Sequence, residues 1–571
     1  MKDFDSDRRS LLKLSSMGLA ASAAITVPGF AKSKHASDSP ATPALFDVRT
    51  YGATGDGKTV DTPAINKAIE AAAAAGGGTV IFPAGNYICF SIRLKSNVGL
   101  FLSQGSIITA AESPLPAQTS GYMGGTYDAA ESNAPWEAYQ DFGHNHWHNS
   151  LIWGEGLSNI SIAGPGLIFG KGLSFGAGPG RPPGPHREGF GSEEPAQGRR
   201  APVPPPRIFP PRGNYPMYQA EQAGVGNKAI GLKNCHNVHF SDFSILKGGH
   251  FGLLLTGVDN LTIDNLTIDT DRDGMDIDCC QNVRVSNCTV NSPWDDGICP
   301  KSSYALGHIK STEQVTIANC AVSGCYELGT VLDGTFKKFP ANGGHAFGTG
   351  RIKCGTESNG GFKNITITGC IFEGCQGLAL ETVDGALLED IAVTNITMRD
   401  VISCPIFLRL GSRLRGPATT TKVGKLRRVL ISNLTSYNTA SRISSIMSGI
   451  PGYAIEDVKL DNVYVQHVGG ASSDWVNIQP PEDANKYPEP GMFGPMPAQG
   501  FFLRHIDRIE MSHVEIQPAA PDPRPSFYLV DVNRADFIAI TAPNTPPAFS
   551  FHDAKDVRVR ISRAAADLTL S

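Results

Sequence analysis

No charge of either sign dominates this chain, and that absence is its first constraint. Lys plus Arg number 49 and Asp plus Glu 54, leaving a net charge of −5 and a pI near 6.3. A general polyanion-binding surface is excluded, so nucleic acid is not expected as a partner. Any acidic ligand must be met by a few local Arg and Lys residues. Long hydrophobic runs are missing beyond the N-terminal segment, so no membrane span is expected in the mature chain. Paired Cys-x-x-Cys knuckles are also missing despite 12 Cys, which removes the common structural zinc arrangement. What is present in quantity is Gly (63) and Pro (40), beside 41% hydrophobic residues. That mix describes a folded, turn-rich, β-leaning protein and argues against disorder.

At the N-terminus, Asp7-Arg8-Arg9-Ser10-Leu11-Leu12-Lys13 precedes an alanine-rich apolar run from Leu14 to Val27, then Gly29-Phe30-Ala31. Paired arginines, a modest apolar stretch and a small residue at a cleavage position resemble a twin-arginine export signal over residues 1–31. The run is too short and too rich in Ala and Ser to span a bilayer. Export to the periplasm or the exterior is the expectation.

From residue 159 a short unit recurs: a polar residue followed by apolar–polar–apolar. It reads Asn159-Ile160-Ser161-Ile162, Asn237-Val238-His239-Phe240, Asn260-Leu261-Thr262-Ile263 and Asn282-Val283-Arg284-Val285. Gln314, Asn364, Asp390, Arg428 and Asp457 open further copies. Period-two alternation marks strands, and whole units recurring every 20–50 residues mark a solenoid. The steps 237 to 260 to 282 are 23 and 22 residues long, as bare coils; longer steps are coils carrying inserted loops. The expected fold is all-β, a right-handed parallel β-helix. Six residues after each opening polar residue stand Leu266, Cys288, Cys320, Cys370, Ile396 and Leu434. Cys shares an inward position with Leu and Ile, so Cys288, Cys320 and Cys370 read as buried free thiols.

Ahead of the coils, Thr62-Pro63 opens a helix that runs to Ala75, and Gly76-Gly77-Gly78 closes it. Its apolar face is suited to cover the open end of the solenoid, which otherwise exposes a sheet edge. Residues 172–215, rich in Gly, Pro and Arg, read as a loop inserted in one continuous solenoid over 45–571, because the coil pattern resumes afterwards. Weaker repeats beyond about 475 read as further coils or a small cap.

Two segments carry the chemistry: Asp271-Arg272-Asp273-Gly274-Met275-Asp276 and Pro293-Trp294-Asp295-Asp296-Gly297. Asp273 lies 13 residues after Asn260, and Asp295 lies 13 after Asn282, so the two share a phase one coil apart. With strands about 4.8 Å apart, Asp273, Asp295 and Asp296 crowd one surface patch. Repulsion among such carboxylates raises at least one pKa and supplies a protonated acid beside an ionised base. Glycosidic cleavage uses that pair.

These two segments resemble the motifs of the polygalacturonase and rhamnogalacturonase family of pectin-degrading glycoside hydrolases, and the likeness runs from Phe46 to Val463. The segment Tyr51-Gly52-Ala53-Thr54-Gly55-Asp56-Gly57 resembles the opening of the same β-helix proteins. The resemblance implies that Asp295 is the general acid, that Asp273 and Asp296 activate water, and that the anomeric carbon is inverted. It also implies a polysaccharide or oligosaccharide substrate of galacturonan or rhamnogalacturonan type. Two departures stand out. Where the family places Gly-His-Gly one coil on, coil counting gives Glu327. Its carboxylate-binding Arg-Ile-Lys falls by counting near Leu378–Thr382, whereas Arg351-Ile352-Lys353 stands about one coil early. Either Arg351 and Lys353 clamp a carboxylate from a shortened coil, or the sugar is not galacturonate. Glu327, Arg351, Lys353, Glu381, Lys301 and Arg409 are the substrate-binding candidates.

His144, His146 and His148 surround Trp147; a substrate-lining or packed loop is the reading, since no ligand partners stand nearby in sequence. No metal or cofactor is expected, and the protein is expected to act as a monomer. Two rivals share the fold: a polysaccharide lyase, with calcium held by the acidic turn at 269–278, and a non-catalytic carbohydrate-binding β-helix.

Overall fold

The computed structural model describes residues 45–571 apart from 133, 142, 175–221, 339–347 and 441. The export-signal segment and most of the Gly/Pro-rich insertion lie outside the described residues.

The opening polar residue of every repeat has a conformational job. Asn159, Asn237, Asn260, Asn282, Gln314, Asn364, Asp390, Arg428 and Asp457 all adopt positive φ, between 52° and 60°. This left-handed corner is tolerated best by Asn and Asp among L-residues. Stacking then adds hydrogen bonds: each Nδ2 of Asn159, Asn237, Asn260 and Asn282 donates to the Oδ1 of the Asn one coil before, at 2.7–2.9 Å. Arg428 occupies the same corner without an amide, and its Nε donates instead to Asp390 Oδ1 at 2.6 Å. The repeat is therefore a turn signal as much as a strand signal.

Between corners, the strands stack in parallel. Leu261 pairs with Val283, which pairs with Val315, then Ile365 and Ile391. Their inward side chains join one core that runs the length of the stack, with Leu266, Cys288, Cys320, Cys370, Ile396 and Leu434 all buried in it. All twelve cysteines are free thiols. Coils continue through Phe501–Pro518, Phe527–Ile538 and Phe549–Arg560 before a short antiparallel strand, Leu568–Leu570, ends the sheet.

Helix α1 (Thr62–Ala74) buries Ile65, Ala68, Ile69 and Ala72 in the same core at its N-terminal end, as its apolar face requires. Asp61 precedes it, and its carboxylate accepts from the backbone N–H of Thr54 (2.7 Å) and Gly55 (3.0 Å). Among the described residues no helix is long and apolar enough to cross a membrane.

The functional face is a six-stranded parallel sheet: β1 (Ile92–Arg93), β2 (Ser150–Glu155), β3 (Lys228–Lys233), β4 (Phe251–Thr256), β5 (Asp273–Asp278) and β6 (Ile298–Lys301). A bridge between Ile298 and Ile352 extends the row to β7 (Lys353–Cys354), which pairs with β8 (Leu378–Thr382) and then β9 (Ile406–Leu410). Leu253 and Leu255 face the core, while Phe251 and Leu254 form a separate outer cluster with Trp147 and Ala305. Insertions between coils thus pack over the outer face of this sheet.

Candidate active site

Asp273 opens β5 at the mouth of a turn, and the next residue must be small. A Cβ on Gly274 would stand 2.4 Å from the Gly297 carbonyl oxygen of the following coil. Register there departs from simple counting. Met275 pairs with Ile298, 23 positions on, against 22 from Leu261 to Val283. One extra residue in the turn puts Asp296, not Asp295, in line with Asp273, and Asp295 projects from the turn beside it. The patch itself is as expected: the three carboxylates each bring an oxygen within 4.8 Å of the others.

Their environments differ sharply. Asp296 is buried; its Oδ1 accepts from Arg351 Nε at 2.9 Å, and its Oδ2 lies 2.8 Å from Lys353 Nζ. Burial pulls its pKa upward, but Lys353 and Arg351 outweigh that and hold it well below the usual carboxylate range. Asp273 is buried without such a pair; desolvation, then the charges of Asp295 and Asp276, push it well above its ordinary value. Asp295 is the exposed member, its side chain 26% accessible, and Arg272 Nη2 donates to its Oδ2 at 2.8 Å. The patch therefore combines a proton-holding group, a fixed anion and an exposed carboxylate. Three protein cations face this patch: Arg272 at Asp295, and Arg351 and Lys353 at Asp296.

Arg351 and Lys353 occupy the coil directly after Asp296, because the step from Ile298 to Ile352 hides a long excursion. Glu327 lies in that excursion. Its strand, Tyr326–Leu328, pairs antiparallel with Lys337–Lys338 and leaves the stack, so coil counting does not carry Glu327 into the row of Asp273. The Arg-Ile-Lys follows that row instead, with Ile352 beside Ile298, but after an inserted excursion and not from a shortened coil, and its cations face protein. Both cations are buried, and Arg351 also donates from Nη2 to Glu489 Oε1 at 2.6 Å. Glu381, on β8, is buried beside them; burial pushes its pKa up to about 7 against the pull of Lys353 and Arg351. Lys301 lies 3.7 Å from Asp276, whose carboxyl burial likewise pushes up to about 7. Arg409 does not join the patch. Its Nη1 donates to Gly449 O (3.0 Å) and its Nη2 to Glu482 O (2.7 Å), anchoring the segment between coils at 468–500.

Sequence reasoning read His144 only as part of a substrate-lining or packed loop and gave no role to His250, Glu357, Glu489 or Tyr487. His144 leaves its two neighbours, which pair with Glu137 and Glu155, and enters the site. Its Nδ1 meets the Glu357 carboxylate, its Nε2 lies 3.9 Å from Asp276, and a ring nitrogen falls within 4.8 Å of His250 and Asp273. Burial lowers its pKa, but the Glu357 charge overrides this and raises it. Those nitrogens and the Asp273 oxygen could hold a cation, as could Glu131, His148 and Glu155. Glu489 and Tyr487 arrive from the 468–500 segment, which carries no strand pattern. Only the run of His around Trp147 hinted at any of these.

Comparison with known proteins accords with this fold. A family model described as "Rhamnogalacturonase A/epimerase, pectate lyase-like" matches residues 45–113, and one described as "Right handed beta helix region" matches 228–403. The chain is similar to the family 28 exopolygalacturonase of Yersinia enterocolitica: TM-score 0.57, 17% identity, over 91% of this chain and 79% of that one. It is also similar to the exopolygalacturonase of Thermotoga maritima: TM-score 0.52, 17% identity, over 74% of this chain and 87% of that one. Among curated proteins, mannuronan C5-epimerase AlgE1 of Azotobacter vinelandii is 60% identical over 45 residues, 8% of this chain and 3% of that protein. The chain thus spans only a small part of such relatives' length. The fold is therefore a right-handed parallel β-helix like that of the exopolygalacturonases, and its opening segment is similar to the rhamnogalacturonase A/epimerase, pectate-lyase-like family.

Proposed function

We propose that this protein is an exported glycoside hydrolase that cleaves pectic polysaccharide or oligosaccharide, of galacturonan or rhamnogalacturonan type, by carboxylate acid/base chemistry. The observation that carries the reading is the division of labour in the aspartate patch. Asp273 holds a proton that burial keeps on it, Asp296 is a permanent anion, and Asp295 is open to a ligand. In the cycle, the Asp273 proton passes to Asp295, which delivers it to the glycosidic oxygen as that bond breaks. Water held by Asp296 and the now ionised Asp273 attacks the anomeric carbon and returns its proton to Asp273. One water is consumed, and the carboxyls end as they began. Both Asp296 oxygens are paired with cations, which disfavours a glycosyl ester there and supports water as nucleophile and hence inversion. The close carboxylate spacing alone would favour the retaining class, which makes stereochemistry the sharper test. The exopolygalacturonase neighbours and the rhamnogalacturonase-type opening support the substrate class, and the Arg8-Arg9 segment supports export. Purified protein should be tested on homogalacturonan and rhamnogalacturonan, with products read by mass and anomeric NMR. Saturated products with inverted configuration are expected. Unsaturated uronate ends would identify a lyase, and intact substrate with full binding a carbohydrate-binding β-helix.

A further inference from the structure

Arg351 and Lys353 flank the core residue Ile352 and point to the outer face, but they are covered there against Asp296, whereas a second pair of arginines near the same site keeps one edge at the surface. Arg413 and Arg415 stand in the loop after β9. Arg413 donates from Nε to Asp384 Oδ1 at 2.9 Å and pairs through Nη2 with the other oxygen; Arg415 Nη1 pairs with Asp141 at 2.7 Å. The remaining donors, Arg413 Nη1 and Arg415 Nε and Nη2, are shielded from bulk water and have no hydrogen-bond partner among the described residues. A charged donor left unmade away from water is costly, and an oxyanion is the group that satisfies it best. The backbone beneath is fixed: Arg415 N–H donates to Asp384 Oδ1 at 3.0 Å, and Arg415 O accepts from Asn359 Nδ2 at 2.6 Å.

Two further observations set the cluster beside the site and open to ligand. Tyr487, 43% exposed, has Arg413 and Lys353 each 5.6 Å from its ring centre. Lys353 is the cation that holds Asp296, so a single aromatic ring separates Arg413 from the aspartate patch. The Arg415 side chain is 26% accessible, against 8% for Arg413, so the cluster has an outer edge at the surface and an inner edge that is dry. An exposed ring beside unfilled guanidinium edges suits a sugar that carries a carboxylate.

We propose that Arg413 and Arg415, with Tyr487 as rim, form a receptor for a uronate carboxylate one subsite from the aspartates. The inference rests on the hydrolase reading for its choice of sugar but not for its test. Binding is measured by calorimetry in an Asp295→Asn background, so that cleavage does not intervene, with oligogalacturonate and its methyl ester as probes. The acid should bind about tenfold or more tighter than the ester, in line with a charge-assisted pair. Arg415→Gln should erase that preference by weakening the acid alone. Asp141→Asn removes the competing carboxylate from Arg415 and should tighten acid binding; it keeps the test alive if the arginine variant folds poorly. Equal binding of acid and ester, no binding of either, an Arg415→Gln protein that keeps the preference, or weaker acid binding in Asp141→Asn overturns the proposal. A preference for acid in a protein whose parent cleaves nothing would leave this receptor standing and remove the hydrolase reading.

Discussion

Lys353→Met tests whether Asp296 is a fixed anion. Asp296 is 1% exposed, and its two oxygens are shared between Arg351 Nε and Lys353 Nζ. Removing the ammonium strips one partner from a carboxylate that is buried away from bulk solvent. Loss of one member of a buried pair costs about 3–5 kcal/mol, whereas an exposed pair costs about 0–1. The assay is urea unfolding followed by tryptophan fluorescence, with the shift in midpoint compared across variants. Asp296→Asn in the Lys353→Met background should recover part of the loss, because it removes the stranded charge; the double-mutant cycle isolates that term. A Lys353→Met cost under about 1 kcal/mol would refute the reasoning, as that is the range of a solvated pair.

The same pair fixes a pH dependence. Asp296 is depressed in the folded protein, so its contribution is fully present above the unfolded-chain value of about 3.9 and is lost as pH falls below it. Wild type should therefore lose stability more steeply than Asp296→Asn as pH falls from about 4 toward about 2, read by thermal unfolding; parallel losses would contradict the assignment.

Other substitutions separate the remaining roles. Asp295→Asn should lower kcat by about 10²–10⁴-fold with KM little changed, the usual yield of a positioned acid; steady-state kinetics on the cleaved substrate decide it, and an unchanged kcat removes Asp295 from the chemistry. Glu381 is raised to about 7, so its folded-state value exceeds its unfolded one; the neutral form is accommodated at low pH, and stability is lost as pH rises through 7. Glu381→Gln should then stabilise at pH 8 by up to about 3 kcal/mol and do little at pH 4, read by thermal unfolding at both values; equal effects would contradict the assignment. Gly274→Ala should destabilise by about 1–3 kcal/mol or more, since its Cβ meets the Gly297 carbonyl and must push two coils apart; a neutral effect in the same unfolding assay would deny the close approach.

Legibility in the sequence followed how local each constraint is. The corner residues were readable because a left-handed φ is a demand on one residue, met by Asn260 or Asn282 whatever surrounds it. The core row was readable for the same reason, since Cys288 and Leu266 fill equivalent inward positions six residues past a corner. The aspartate patch followed from those two, except that one additional turn residue moved Asp296 into line where counting chose Asp295. Counting failed altogether across the step from Ile298 to Ile352, where an antiparallel excursion consumes Glu327 before the coil resumes. No local pattern limits the length of an insertion, so phase is lost there. The place of His144, legible only as part of a substrate-lining or packed loop, and Glu489 altogether escaped for a related reason: they enter from insertions packed on the outside of the sheet, 213 residues from Glu357 and 138 from Arg351 respectively, where no repeat sets their position.

Residue type also misled where burial was the deciding fact. Arg351 and Lys353 have the chemistry of a carboxylate clamp, but both are buried against Asp296, and Arg351 also against Glu489. Arg351 bridges the two through different nitrogens, Nε toward the catalytic patch and Nη2 toward the 468–500 segment. A lysine at that position keeps the charge but offers one compact ammonium, which lacks the planar fork needed to span both carboxylates. Arg351→Lys should therefore hold Asp296 and release Glu489, loosening the segment around Tyr487 while the coils beneath stay folded. Limited proteolysis reads this directly: faster cleavage between residues 482 and 492, with an unfolding midpoint close to wild type, is the expected result. Cleavage at the wild-type rate would mean that Arg409, through its bonds to the Glu482 and Asp483 carbonyls, secures the segment without help from the site.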